Sequence, residues 1–148
     1  MLTVRNVSND PFYNQAFEEY VYETFRDDDV FLLWKNTPAV VVGSYQNICR
    51  EVHVETLRQR GIPVVRRIGG GTIYTDMGGW QFTFIQHKEA GEIEFSQYIA
   101  PVIDALREMG VSAAFNGRND LTIDGKKFSG NAQYRLGDCI VHHGSLLF

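Results

Sequence analysis

The sequence predicts a single mixed α/β domain (α+β), and three observations support that prediction. Segments of helical and strand periodicity alternate through the first two-thirds of the chain. The last third holds three β-rich runs divided by turns at "DGK" and "LGD", the pattern of a mostly antiparallel meander. The 148 residues contain no repeat, low-complexity tract or linker-like run, and that length is enough to bury one proper core.

Each element has a local reason. "LTVRNV" alternates apolar and polar residues like a strand. Asp10 and Pro11 then read as an N-cap and first helical residue. Behind them Tyr13, Phe17, Tyr20 and Val21 recur at helical spacing, with Glu18 and Glu19 elsewhere on the wheel. "DVFLLWKN" and "PAVVVG" are two apolar strands around a turn at "NTP". "VETLRQRG" is a short helix ended by Gly61, and "IPVVRR" is the next strand. "TIYTD" and "QFTFIQ" predict a hairpin around "MGG". Phe95, Tyr98, Ile99, Val102, Ile103 and Leu106 make an amphipathic helix stopped near Gly110, with Pro101 as its kink or its true start. "DLTID", "KKFSGNAQY" and "CIVHHGSLLF" complete the β pattern.

Composition narrows the function classes. Hydrophobic residues make up 44%, charged residues 22%, and the formal net charge is −4. An acidic balance argues against nucleic-acid binding, which favours a basic face. No apolar run approaches the ~20 residues of a membrane span. The N-terminus lacks the basic and apolar regions of a signal peptide. Cys49 and Cys139 stand far apart, without metal-ligand spacing, and read as reduced thiols of a cytoplasmic protein.

Residues 66–74, "RRIGGGTIY", pose the main question. The nucleotide-hydrolase phosphate loop needs G-x-x-x-x-G-K-[ST], and the dinucleotide fingerprint needs G-x-G-x-x-G before a helix; neither is present. The glycines lie instead between two strands. Such a connection can turn several backbone N–H groups toward an anion, with Arg66 and Arg67 adding charge and planar donors. A bulged hairpin with solvated arginines is the competing interpretation. In "GRNDLTIDGKKFSGNAQ", Lys127 either faces solvent on an edge strand or presents a compact charge to a phosphate. The small residues Gly130 and Ala132 beside it leave room for a ligand. His142 and His143 are adjacent in a strand and point to opposite faces, which argues against shared zinc ligation.

Taken together, these segments resemble the lipoate–protein ligase A family. "NQAFEEYV" resembles its first-helix signature, and "LLWKNTPAVVVGSYQNICREV" its Trp-x-Asn, Gly and Gln-Asn run. "VVRRIGGGTIYTDMGGWQFTFI" resembles the arginine-glycine motif, and "GRNDLTIDGKKFSGNAQ" and "HHGSLLF" the lysine segment and following strand. The resemblance implies the biotin/lipoate protein ligase-like fold, a mixed, largely antiparallel sheet flanked by helices. It implies ATP-dependent activation of lipoate to lipoyl-adenylate, then transfer of the lipoyl group to a lysine of a lipoyl domain. Expected partners are lipoyl domains of 2-oxoacid dehydrogenase complexes and the glycine-cleavage H protein, with no nucleic acid and no membrane.

The resemblance also implies residue roles. Gly69, Gly70, Gly71, Thr72, Ile73 and Tyr74 would wrap the adenylate, and Arg66 and Arg67 would border lipoate and phosphate. Lys127, rather than Lys126, matches the functional lysine. Asn119 and Asp120 match a polar pair near the nucleotide, with Asp120 toward magnesium. Asp76, Ser129, Gly130, Ala132, His143 and Gly144 complete the expected binding set, and the apolar strand at residues 40–42 would help wall a slot for the lipoyl chain.

The chain departs from the family pattern in three places. Only Ile68 separates Arg67 from Gly69, where the family usually has two residues, the second Ser or Thr. Thr75 replaces a common His, and Gly79 a common Asn. Two alternatives stand beside the ligase. One is an ATP-independent octanoyl- or lipoyl-transferase, one branch of which uses a Cys just upstream of the lysine segment, where "AAFNGRND" has none. The other is a non-catalytic binder of lipoate or lipoyl domains. The last segment reaches Phe148 inside a β pattern, so residues 1–148 are expected to be the N-terminal part of a ligase catalytic domain, poorly active by itself.

Overall fold

The computed structural model describes residues 1–87 and 94–147. Strand β1 (Leu2–Arg5) leads into helix α1 (Pro11–Thr24). The Asp10 carboxylate caps α1, accepting from Phe12 N at 2.8 Å and Tyr13 N at 3.4 Å, with Pro11 just inside. These contacts satisfy donors that a helix start leaves free. β2 (Val30–Trp34) and β3 (Ala39–Gly43) follow, then the short helices α2 (Ile48–Glu51) and α3 (Val54–Gln59). β4 (Val64–Arg67), β5 (Ile73–Thr75) and β6 (Trp80–His87) precede helix α4 (Ser96–Glu108). β7 (Ala113–Phe115), β8 (Asp120–Ile123), β9 (Lys126–Leu136) and β10 (Cys139–Leu146) form the closing meander. No described helix is long and apolar enough to cross a membrane.

The strands form two sheets, a seven-stranded one in the order β1-β2-β6-β10-β9-β8-β7 and a three-stranded one in the order β4-β3-β5. The large sheet is antiparallel except for β1 with β2, and the small one pairs β3 with β4 in parallel. The hairpin expected between "TIYTD" and "QFTFIQ" does not form. β5 pairs with β3 in the small sheet, while β6 pairs with β2 and β10 in the large one. The Asp76 carboxylate accepts from Gly78 N and Gly79 N, shaping a corner that carries the chain between sheets. An Asx corner and a hairpin turn use the same residues, so the sequence does not separate them.

Both faces of the large sheet are covered. On one, Val21 of α1 packs with Val30, Leu32, Trp34, Ile85, Cys139 and Val141. On the other, Ile99 and Leu106 of α4 pack with Leu121 and Phe128. Pro101 lies inside α4 and neither starts nor ends it. The inward stripe of α1 also differs from expectation. Its buried residues are Pro11, Asn14, Glu18 and Val21, while Tyr13 and Tyr20 are exposed and stack on Phe17. Asn14 is satisfied there, accepting from Asn6 Nδ2 and donating to Lys35 O and Asn36 Oδ1. α2 and β7 were not foreseen; each is only three or four residues long.

Candidate active site

The helix-α1 face of the large sheet holds the chemistry, and strand register decides which side chains reach it. Paired residues across a sheet share a face. Leu32, Thr83, His143 and Ala132 form one transverse row. Val30, Ile85, Val141 and Tyr134 form the next. A third row contains Trp34, Gln81 and Ser145, and Ser145 Oγ lies 3.4 Å from Gly130 N. Gly130 pairs in turn with Asp120.

Simple alternation would put Lys127 on the opposite face from Gly130. Between Leu121↔Ser129 and Thr122↔Lys127, however, β9 advances two residues while β8 advances one. Phe128 is the extra residue of this bulge, and its ring packs toward α4. Bulges re-aim side chains in this way. Lys127 therefore turns onto the face of Gly130 and Asp120, its Nζ 2.8 Å from Asp120 Oδ1. Its aliphatic end covers Gly130, where a Cβ would lie 3.3 Å from Cε and Nζ. Lys126 pairs with Ile123, which packs against α4, so the two lysines do face opposite ways.

A cavity of about 320 Å³ opens over the Val141–Tyr134 row, between α1, the end of β3 and the loop after β4. Gln15, Glu18, Ser44, Arg67, Ile68 and Tyr134 are among its walls. A second cavity of about 450 Å³, between the sheet and α4, is lined by apolar side chains. Of these two, the first gathers the charged side chains and the unpaired polar atoms of Gln15 and Arg67.

The two arginines divide their roles. Arg66 Nη1 donates to the carbonyls of Gly43, Ser44 and Gln46 at 2.7–3.3 Å, which ties the guanidinium to the turn after β3. Arg67 points into the cavity, and its buried Nε has no hydrogen-bond partner among the described residues. Burial lowers the Arg67 pKa, while the Glu18 carboxylate acts against that shift. Glu18 is pushed up by burial, opposed by its hydrogen bond from Thr83 Oγ1 at 2.5 Å and by Arg67. Thr83 in turn accepts from Trp34 Nε1 at 3.3 Å. His143 stands against Tyr134, its pKa held well below the usual value, chiefly by burial and then by Arg67. Sequence reasoning passed over Glu18 and Thr83. The available signal was that Asn14, Glu18 and Val21 lie on one helical stripe.

The glycine loop sits at the mouth. Gly69 and Gly70 have φ near +70°, a conformation that suits glycine, whereas Gly71 does not. A Cβ on Gly70 would meet the Arg67 guanidinium at 2.4 Å, and one on Gly69 would meet the Tyr134 ring at 2.7 Å. Gly71 has nothing within 4 Å of its Cβ position. The small sheet holds the loop: Gly43 N donates to Gly71 O at 3.1 Å, and Gly69 N donates to Ser44 Oγ at 3.2 Å.

The other expected residues separate. Thr72 has a buried hydroxyl without a described partner, Ile73 is half-buried in β5, and Tyr74 is exposed. Asp76 shapes the corner between the sheets. Asn119 exchanges hydrogen bonds with Asn131, including Asn131 N to Asn119 O at 2.8 Å. Ser129 pairs with Leu121, so it belongs to the α4 face, where its Oγ accepts from Asn131 Nδ2. Gly144 also faces that way, and a Cβ there would strike Phe82 and Asn131. Residues 40–42 are buried in the small sheet and do not line the cavity. His142 is enclosed by Tyr98, Phe82, Phe84 and Phe95 on the face opposite His143. Cys139 is fully buried, and burial pushes its thiol up to about 11. Among the described residues no three His, Cys, Asp or Glu side chains converge on one point.

Comparison with known proteins identifies the family and the fold. Residues 10–148 match the family described as the lipoyl protein ligase A/B catalytic domain. Lipoate-protein ligase LplJ of Bacillus subtilis is 40% identical over 152 aligned positions, covering all of this chain and 46% of the relative. The structure of LipL1 of P. falciparum in complex with lipoate superposes with a TM-score of 0.88 at 27% identity, covering 99% of this chain and 47% of that one. A lipoate-protein ligase A bound with ATP shares the fold, with a TM-score of 0.79 at 21% identity over 99% of this chain and 64% of that one. The chain spans about half the length of the curated relatives it matches. It belongs to the lipoyl protein ligase A/B catalytic-domain family.

Proposed function

We propose that this domain activates lipoate with ATP to lipoyl-adenylate and passes the lipoyl group to a lysine of a lipoyl-accepting protein. The observation that carries this is the placement of Arg67, the glycine loop and Lys127 along one sheet face, with a cavity between α1 and the loop. Gly130 and Tyr134 are four residues apart on β9, so Lys127 and the cavity floor are separated by roughly 13 Å of strand. An elongated acid can lie between them over the small side chain of Ala132.

In the first step a carboxylate oxygen attacks the α-phosphorus and pyrophosphate leaves. Negative charge builds on the phosphoryl oxygens, and fixed cations with backbone donors stabilise it. Lys127 and Arg67 are the cations, and loop N–H groups the donors. In the second step the partner's neutral lysine amine attacks the acyl carbon and AMP leaves. Magnesium fits the donor set: a single carboxylate, Asp120, with nucleotide phosphates and water is a common way to hold this ion, and it would neutralise phosphate charge. The proposed acceptors are lipoyl domains of 2-oxoacid dehydrogenase complexes and the glycine-cleavage H protein, in the cytoplasm. Cys139 is buried, and the exposed Cys49 does not line the cavity, which speaks against a thiol-dependent transferase.

ATP–pyrophosphate exchange tests this directly. Exchange that requires lipoate is expected. Acyl transfer from a carrier without ATP would replace the ligase with a transferase, and lipoate binding without exchange would leave a binder.

A further inference from the structure

We propose that Ser44 is a ligand-contacting residue, its hydroxyl donating a hydrogen bond to an anionic oxygen of the substrate beside Arg67. The inference rests on the function proposed above and adds a residue at the end of β3.

Residues 66–71, which form the anion-facing rim, contain no hydroxyl of their own. Ser44 reaches that rim from another strand. It lines the same cavity as Arg67 and Ile68. Its Oγ accepts from Gly69 N at 3.2 Å, and no hydrogen bond donated by that hydroxyl is formed with another described residue. A serine hydroxyl has one donor and two acceptor positions. With one acceptor position taken by Gly69, its proton is free to serve a ligand oxygen. Accepting from an amide polarises the O–H and strengthens it as a donor. Ser44 is also held in place: its carbonyl accepts from Arg66 Nη1 at 3.3 Å, and Gly43 beside it packs directly on the carbonyls of Gly69 and Gly70. A donor lining the same cavity as a half-buried cation, whose Nε is unpaired among the described residues, is suited to a carboxylate or a phosphate oxygen, and not to an apolar chain.

The shared chemistry is an anionic oxygen, borne either by the acid or by the nucleotide. Calorimetric titration with lipoate alone and with ATP alone separates these sources. The proteins are the wild type, Ser44→Ala and Ser44→Thr, with thermal melts of each. A hydrogen bond to a charged group is worth about 1.5–3 kcal/mol, a loss of roughly 10- to 150-fold. Ser44→Ala is expected to weaken one ligand by about tenfold or more, with a nearly unchanged melt because water can reach the exposed Gly69 amide. Ser44→Thr, which keeps the hydroxyl, is expected to stay within about threefold of the wild type. A loss confined to lipoate assigns the contact to the carboxylate, and one confined to ATP assigns it to a phosphate. Unchanged affinity of Ser44→Ala for both ligands, or an equal loss in Ser44→Thr, overturns the proposal. A wild type that binds neither ligand overturns the proposed function and this contact together.

Discussion

Gly43→Ala is the sharpest single perturbation of the candidate site. The added methyl would lie 2.0 Å from the Gly70 carbonyl oxygen and 2.8 Å from that of Gly69. Both obstacles are backbone, so no side-chain rotation relieves them. Restoring ordinary contact of at least 3.4 Å requires the loop to withdraw by about 1.4 Å, and overpacking of this kind costs roughly 1–3 kcal/mol. The movement reaches the proposed ligand-binding groups, because Gly43 N holds Gly71 O and the Gly43 carbonyl accepts from Arg66. Arg67 covers Gly70 and is displaced with it. A misplacement of about 1 Å can cost on the order of 100-fold where geometry matters. Urea unfolding followed by calorimetric titration with ATP reads both effects. The expected outcome is a modest loss of stability and a loss of affinity of at least tenfold. Gly61→Ala is the control: it has φ +63 and open space around its Cβ, so strain there lowers stability without touching the loop. If Gly43→Ala bound ATP like the wild type, the close packing of β3 on the glycine loop would have no functional weight.

Three further outcomes are expected. Lys127→Ala should abolish lipoate-dependent pyrophosphate exchange, whereas Lys126→Ala should leave most of it; equal losses would refute the bulge-based assignment. Because Lys127 itself is 54% exposed and Lys126 has no part in the pair with Asp120, both variants should melt within about 1 kcal/mol of wild type. Gly71→Val should raise the ATP concentration needed for exchange, since the free protein has open space there and only a bound ligand can collide with the new side chain; an unchanged ATP requirement would make Gly71 an ordinary turn residue. His142 is held neutral, its pKa lowered to about 4 by burial. A depressed histidine pKa gives stability that is present above the unfolded value near 6.5 and lost as pH falls through 4, by about 3 kcal/mol. His142→Phe, which keeps the stack on Tyr98, should flatten that part of the acid loss in urea unfolding at pH 7 and pH 4; an undiminished loss would place its origin elsewhere.

Local chemistry made much of this molecule legible from its sequence. Asp10–Pro11 announces α1 because the cap is a contact between neighbours. The "HH" pair announces two opposite faces because strand geometry alternates. What stayed hidden depended on distant partners. Whether the "MGG" corner closes a hairpin or passes between sheets is decided by β3, some thirty residues earlier, which pairs with β5. Glu18 looks like a solvent-facing acid until Thr83 and Arg67 approach from other strands. Counting by twos along β9 says that the lysines diverge, but only the ladder with β8 shows which one the bulge turns toward the site. The arginine pair is equally ambiguous in one dimension: the carbonyls that occupy Arg66 come from the turn after β3.

The Phe128 bulge also bears on how the strand would tolerate insertions and deletions. Lys127 faces the site because of one surplus residue, not because of its parity. Deleting that residue would leave Lys127 opposite Thr122 and still facing the site, whereas drawing it into the ladder would restore plain alternation and swing Lys127 toward α4. Its neighbour would then inherit the outward position, so the adjacent Lys126 is a spare cation one step out of phase. A sequence with two consecutive lysines before Phe128 thus keeps an ammonium group over Gly130 through a single-residue slip in either length or pairing, a form of fault tolerance written into the register.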